Sequence, residues 1–146
     1  MPVVGRKFLM AGGGGLNIPL SEPDGRLESR YGAAAARLHG ALADWTTQDI
    51  RGWMAGLEQE SFVGSSGRVF PVAMKASPLL RVWLAWLRAQ GVTLRPRTRW
   101  LGWDAQGDLL LAGTNGSAPA SYTEKTDALV LALGGASWPR LGSDGG

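Results

Sequence analysis

The sequence predicts an α/β domain, and three observations carry that expectation. An amphipathic helix over about 78–90 runs directly into an extended segment. Three short extended segments between residues 98 and 124 read as an antiparallel meander. An unbroken apolar run, Ala128 to Leu133, suits a strand buried on both faces. With 146 residues the chain has room for one domain around one core.

From the start of the chain, Phe8 to Met10 form a short apolar run that ends at Gly12-Gly13-Gly14-Gly15-Leu16-Asn17. Four successive glycines sustain neither helix nor strand, so this is a turn with open backbone. A helical segment is expected over about 33–57. Leu38, Leu42 and Trp45 share one helical face, and Thr46 or Thr47 caps a second helix whose Ile50, Trp53, Met54 and Leu57 fall at i, i+3, i+4 and i+7. Glu60 to Pro71 reads as irregular or briefly extended around Gly64-Ser65-Ser66-Gly67. The clearest local pattern follows, with Ser77 as N-cap, Pro78 at the first helical position, an apolar stripe through Leu80, Trp83, Leu84 and Leu87, and Gly91 as the stop. Val92 to Leu94 then starts a strand, short or at an edge because of Pro96. The meander, about 98–124, has turns at Asp104–Gly107 and Thr114–Ser117, and the apolar strand at about 128–133 breaks at Gly134-Gly135.

Composition excludes several chemistries. The chain has no cysteine and a single histidine, which removes disulfides, thiolate chemistry and multi-histidine metal sites, and fits a reducing cytoplasm. No stretch approaches the ~20 apolar residues of a membrane span, and no secretory signal opens the chain. The net charge of +3 is small and spread out, and the alternation Arg95, Arg97, Arg99 reads as the solvated face of an edge strand. His39 has no partner at useful sequence spacing and reads as a surface or satisfied histidine. Trp45, Trp53, Trp83 and Trp86 read as core or interdomain packing.

Candidate chemistry therefore lies at the glycine turns. In open parallel sheets, ligands bind beyond the carboxyl ends of strands, where backbone amides face a phosphate or a ring, and both glycine turns follow apolar runs. No Walker A sequence is present and no G-x-G-x-x-G opens a helix, so the residues alone lead to a nucleotide-binding α/β domain, with plain tight-turn loops as the rival reading.

At these positions the chain resembles the BaiN-like, aminoacetone-oxidase-type family of bacterial NAD(P)/FAD-dependent oxidoreductases. Gly5 to Asn17 is similar to the family's flavin-contacting segment. Phe62 to Pro71 with Lys75-Ala76-Ser77 resembles its G-R-V-F-P and K-A-S block, and Asp127 to Gly145 resembles its late strand and G-G-x-S-[YW]-P-x-x-G-S motif. The resemblance implies a partial Rossmann-like FAD-binding domain of the two-dinucleotide-binding type, crossed by the three-stranded meander. It implies FAD as cofactor and NAD(P)H or an organic compound as electron donor.

By the same resemblance, Arg6 and Lys7 lie near the adenosine end, and Gly12, Gly13, Gly14, Gly15 and Asn17 run along the pyrophosphate and isoalloxazine. Gly134, Gly135, Gly142 and Ser143 fall on the other side of the flavin, with Trp138 covering the ring. Lys75 and Arg68 are further candidates for a flavin or substrate anion. The family's usual Arg and Cys of the first turn are here Gly15 and Leu16, so no cysteine is present for redox work. No catalytic acid or base stands out, since in flavoenzymes the cofactor carries the redox step.

Family members extend further at both ends, so the chain is expected to be an internal piece of the FAD domain, inactive by itself, with the phosphate-binding strand and G-x-G-x-x-G helix before Met1. Two rival functions stay open. One is a remnant that retains no FAD and self-associates through exposed apolar faces. The other is a small basic nucleic-acid binder. The favoured reading expects a small-molecule substrate and neither a nucleic-acid nor a membrane partner.

Overall fold

The computed structural model describes residues 4–11, 15–18, 26–113 and 120–133. A capping box opens the helix α4 (Thr47–Gly56), with Thr46 as its N-cap. The Thr46 hydroxyl accepts from the Asp49 amide at 3.3 Å, and the Asp49 carboxylate accepts from the Thr46 amide at 2.8 Å. Two otherwise unpaired donors are thus satisfied reciprocally.

The elements in order are α1 (Arg6–Ala11), α2 (Arg26–Ser29), a 3₁₀ turn (Gly32–Ala34), α3 (Ala35–Asp44), α4 (Thr47–Gly56), β1 (Ser61–Val63), β2 (Val69–Pro71), α5 (Ala76–Ala89), β3 (Thr98–Trp103), β4 (Leu109–Gly113) and β5 (Ser121–Glu124). The chain divides into two compact units, Gly5–Val92 and Thr93–Gly146 with Met1–Val4.

In Gly5–Val92, α4 and α5 bring their apolar stripes into one core. Met54 and Leu79 are fully buried there, joined by Leu16, Leu57 and Ala76 and flanked by Phe8, Leu9, Ile18, Trp53, Val82 and Trp83. The Trp83 indole meets Trp53 edge to face at 5.2 Å and Phe8 at 6.2 Å, the arrangement that aromatic quadrupoles favour. Helix α1 packs on α5, and a Cβ at Gly5 (φ +74°) would lie 2.9 Å from the Leu80 methyls, so only glycine lets the chain enter α1 this closely.

Helices α5 and α4 end in the same way. Val92 N–H donates to Leu87 O at 3.0 Å and Gly91 N–H to Arg88 O at 3.0 Å, with Gly91 at φ +83°; this is the Schellman pattern. At the end of α4, Gln59 N–H donates to Met54 O and Glu58 N–H to Ala55 O, both at 2.9 Å, but the left-handed position is held by Glu58 at φ 57°.

In the second unit, β3, β4 and β5 form the antiparallel meander in that order, with Trp100↔Leu111 and Gly102↔Leu110 as partners and a bulge at Leu101 between them. Asp104 Oδ1 accepts from the amides of Gln106 at 2.8 Å and Asp108 at 2.9 Å, which closes the first turn with Gly107 at φ +84°. The fold is α/β, and all strand pairing among the described residues is antiparallel.

The structure differs from the sequence expectation at several places. The apolar run Phe8–Met10 is part of helix α1, with Phe8 and Leu9 packed against the Met54–Leu79 core and Met10 exposed. Helix α5 begins at Ala76, with Lys75 rather than Ser77 as N-cap. Pro78 is thus the third helical residue rather than the first, still within the first turn, where its missing N–H has no helical partner to lose. The strand expected from Val92 is absent because the Val92 amide closes the helix cap instead.

Ala128–Leu133 is not a buried strand. No described strand pairs with it, and it lies exposed, with Val130 at 86%. Trp45 and Trp86 are exposed as well, whereas Trp53 and Trp83 pack on the core as expected. His39 has a partner after all, since Nδ1 lies 2.8 Å from Glu28 Oε1, eleven residues earlier and outside any helical spacing.

Candidate functional site

After α1, the next described residues begin at Gly15, and Leu16 belongs to the same core that α1 packs on. Gly15 takes φ +107°, a conformation that L side chains rarely adopt, and a Cβ there would lie 3.0 Å from the Met74 methyl and 3.8 Å from the Phe70 ring. Leu16 then turns inward and is 3% exposed, while Asn17 faces solvent. Ile18 N–H donates to Val69 O at 3.1 Å, which lays this stretch alongside β2.

β1 and β2 form a hairpin, with Phe62↔Phe70 as partners. Period-2 alternation sends Val69 and Pro71 into the interior and Phe70 to the opposite face, where it stacks on Phe62 at 5.8 Å and 30°. The other edge of the Phe70 ring meets Gly64, whose added Cβ would lie 3.1 Å from Cε2. Arg51 of α4 ties the hairpin down, its Nε donating to Ser61 Oγ at 3.2 Å.

Past the hairpin, Met74 is held at φ 53° by its N–H bond to Pro71 O at 2.8 Å, and α5 starts two residues later. Ala76, the first residue of α5, and Leu16 belong to one buried cluster, and Lys75, the N-cap residue, is exposed. The result is a glycine backbone without a Cβ, next to apolar Phe70 and Met74.

A family model described as HI0933-like protein Rossmann domain matches residues 1–146. The chain belongs to that family. No curated protein matches it. The HI0933-like Rossmann domain family is FAD-binding; at Gly15 the positive φ favours glycine, and the side where a Cβ would stand is taken up by the Met74 methyl and the Phe70 ring.

Of the residues assigned to the flavin, four are described. Gly15 and Asn17 lie in the turn. Arg6 is exposed and Lys7 half-buried on the first turn of α1, joined to Gly15 through the core that Phe8, Leu9 and Leu16 share. Gly12, Gly13, Gly14, Gly134, Gly135, Trp138, Gly142 and Ser143 lie outside the described residues. Arg68 is exposed beside the hairpin turn.

The sequence reading missed the contact of Phe70 and Met74 with Gly15. The signal available was the alternation Val69-Phe70-Pro71, which separates Phe70 from the core side. A cleft of about 310 Å³ between α4 and β1, lined by Gln48, Arg51, Gly52, Ala55, Glu60 and Ser61, includes no residue of the glycine turn. Among the described residues no cluster of three or more metal-ligand side chains occurs, and no helix is long and apolar enough to cross a membrane.

Proposed function

We propose that this HI0933-like chain forms part of the flavin site of a cytoplasmic, FAD-dependent oxidoreductase of the BaiN-like, aminoacetone-oxidase type. NAD(P)H or an organic donor supplies its electrons. The observation that carries the reading is Gly15, held at φ +107° against Phe70 and Met74 in a chain whose whole length matches an FAD-binding family. In this reading the turn Gly12–Asn17 lines the pyrophosphate and ring system, Lys75 and the start of α5 balance its charge, and Arg6 and Lys7 lie toward the adenosine. When bound, FAD supplies two-electron redox chemistry, and the chain's own residues bind and orient it.

Visible absorbance of the purified chain tests the proposal. A flavin spectrum that leaves the protein on denaturation and returns on adding FAD is expected. A colourless, folded protein that takes up no FAD contradicts it.

A second reading is a remnant that binds no flavin and self-associates. It is supported by the exposed apolar residues Leu129, Val130, Leu131 and Leu133. Val130→Lys distinguishes the two: self-association predicts that it shifts sedimentation toward monomer, whereas the flavin reading expects no change in mass.

A further inference from the structure

We infer that Phe70 is a positioning residue for the glycine turn, its ring setting the distance between the Gly15 backbone and the hairpin. Its naming of FAD as the ligand rests on the proposed flavin reading, but the tether itself does not.

The geometry is specific. One edge of the ring, Cε1 and Cδ1, faces Gly15 at 3.8 and 3.9 Å from where a Cβ would stand, and the other edge, Cε2 and Cδ2, faces Gly64 at 3.1 and 3.4 Å. A Cβ at Gly64 would crowd the ring, whereas at Gly15 the ring stands at ordinary contact distance and the Met74 methyl, at 3.0 Å, is the group that would be crowded. Phe62 stacks on one face of the ring, which limits its rotation.

The backbone adds a second tie, since Val69, the neighbour of Phe70, accepts the Ile18 amide at 3.1 Å. Thus one dipeptide of β2 holds the turn at Gly15 by a side chain and at Ile18 by a hydrogen bond. Met74 also reaches Gly15, but through the tip of a flexible, 42% exposed side chain, which follows the turn rather than directing it. Phe70 itself contributes no charge or hydrogen bond. It acts through the position of Gly15.

Two readouts on the full chain test this. In Phe70→Ala, amide hydrogen exchange at Ile18 is expected to speed up by about tenfold more than at Leu84 within α5, because the turn opens locally while the helix core remains. Phe70→Tyr keeps the ring and is expected to restore slow exchange. Gly64→Ala, which crowds the ring toward Gly15, is expected to speed exchange at Ile18 by a smaller factor.

With FAD added, Phe70→Ala is expected to raise the dissociation constant by about tenfold and to change the visible circular dichroism of the bound flavin, with both returning in Phe70→Tyr. Equal acceleration at Ile18 and Leu84, or none at Ile18, overturns the inference whether or not flavin binds. Slow exchange lost and regained as expected, in a wild-type chain that takes up no FAD, upholds the tether and rejects only the flavin reading.

Discussion

The two units of the chain use apolar residues in opposite ways. Within Gly5–Val92 the stripes of α4 and α5 close around Met54 and Leu79, both fully buried, and even a turn residue, Leu16, is drawn into that core. In the unit beginning at Thr93 the meander buries Leu109 and Ala112 but leaves Leu101 and Trp103 about half exposed, at 48% and 55%, and the run at Leu129–Leu133 open. Helices with one apolar stripe can satisfy each other in pairs, whereas a sheet needs a covering layer for each apolar face. Stability should therefore be concentrated in the first unit, and the turn at Gly15 is fastened to that firmer part.

The largest expected effect tests this directly. Leu79→Ala should cost about 2–5 kcal/mol in urea unfolding, because a fully buried side chain leaves a cavity in a core with few other members. The same truncation at Leu101 should change stability by less than about 0.5 kcal/mol. Equal costs at the two sites would break the comparison.

Next come the two helix ends, which share one motif with different residues. Gly91→Ala should destabilise by about 1–2 kcal/mol, the cost of a Cβ in the left-handed region. Glu58→Gly, which relieves that strain at α4, should be neutral or stabilising by up to about 1 kcal/mol, since glycine's greater unfolded entropy offsets part of the relief. Thermal unfolding of both variants reads the difference in sign.

The N-cap of α4 is a further site. Thr46→Ala should cost about 1 kcal/mol. It should also alter the acid side of the stability profile. The bonds from Thr46 hold the Asp49 carboxyl below the usual carboxylate range, so its contribution is full above the unfolded value of about 3.9 and is lost as pH falls through the lower folded value. In the variant that acid-side loss should flatten.

What the sequence made legible follows from where the information is local. The Thr46 cap, the stripe through Met54 and Leu57, Gly91 as helix stop and the meander turn at Asp104–Gly107 are each written in neighbouring residues, and the structure forms all of them. Leu79, the centre of the core, lay outside the stripe expected for its helix. The choice between i and i+1 on one face depends on the partner helix.

The runs Phe8–Met10 and Ala128–Leu133 look alike by composition, yet one is helix and the other extended and exposed, because a short apolar run carries no period and takes its form from its neighbours. The glycine turn was recognisable from the residues, but not its supports. Phe70 and Met74 are more than fifty positions from Gly15, and His39 and Glu28 likewise meet only through folding.

Titration of the chain with FAD, beside Gly15→Val, tests the central claim most directly. A branched side chain at φ +107° and 3.0 Å from the Met74 methyl strains the backbone and displaces the turn. The account predicts saturable one-to-one binding by the wild-type chain and a dissociation constant raised by at least about tenfold in the variant, with the Met54–Leu79 core still folded by circular dichroism. Equal affinity in the two proteins, or no saturable binding by either, would contradict it.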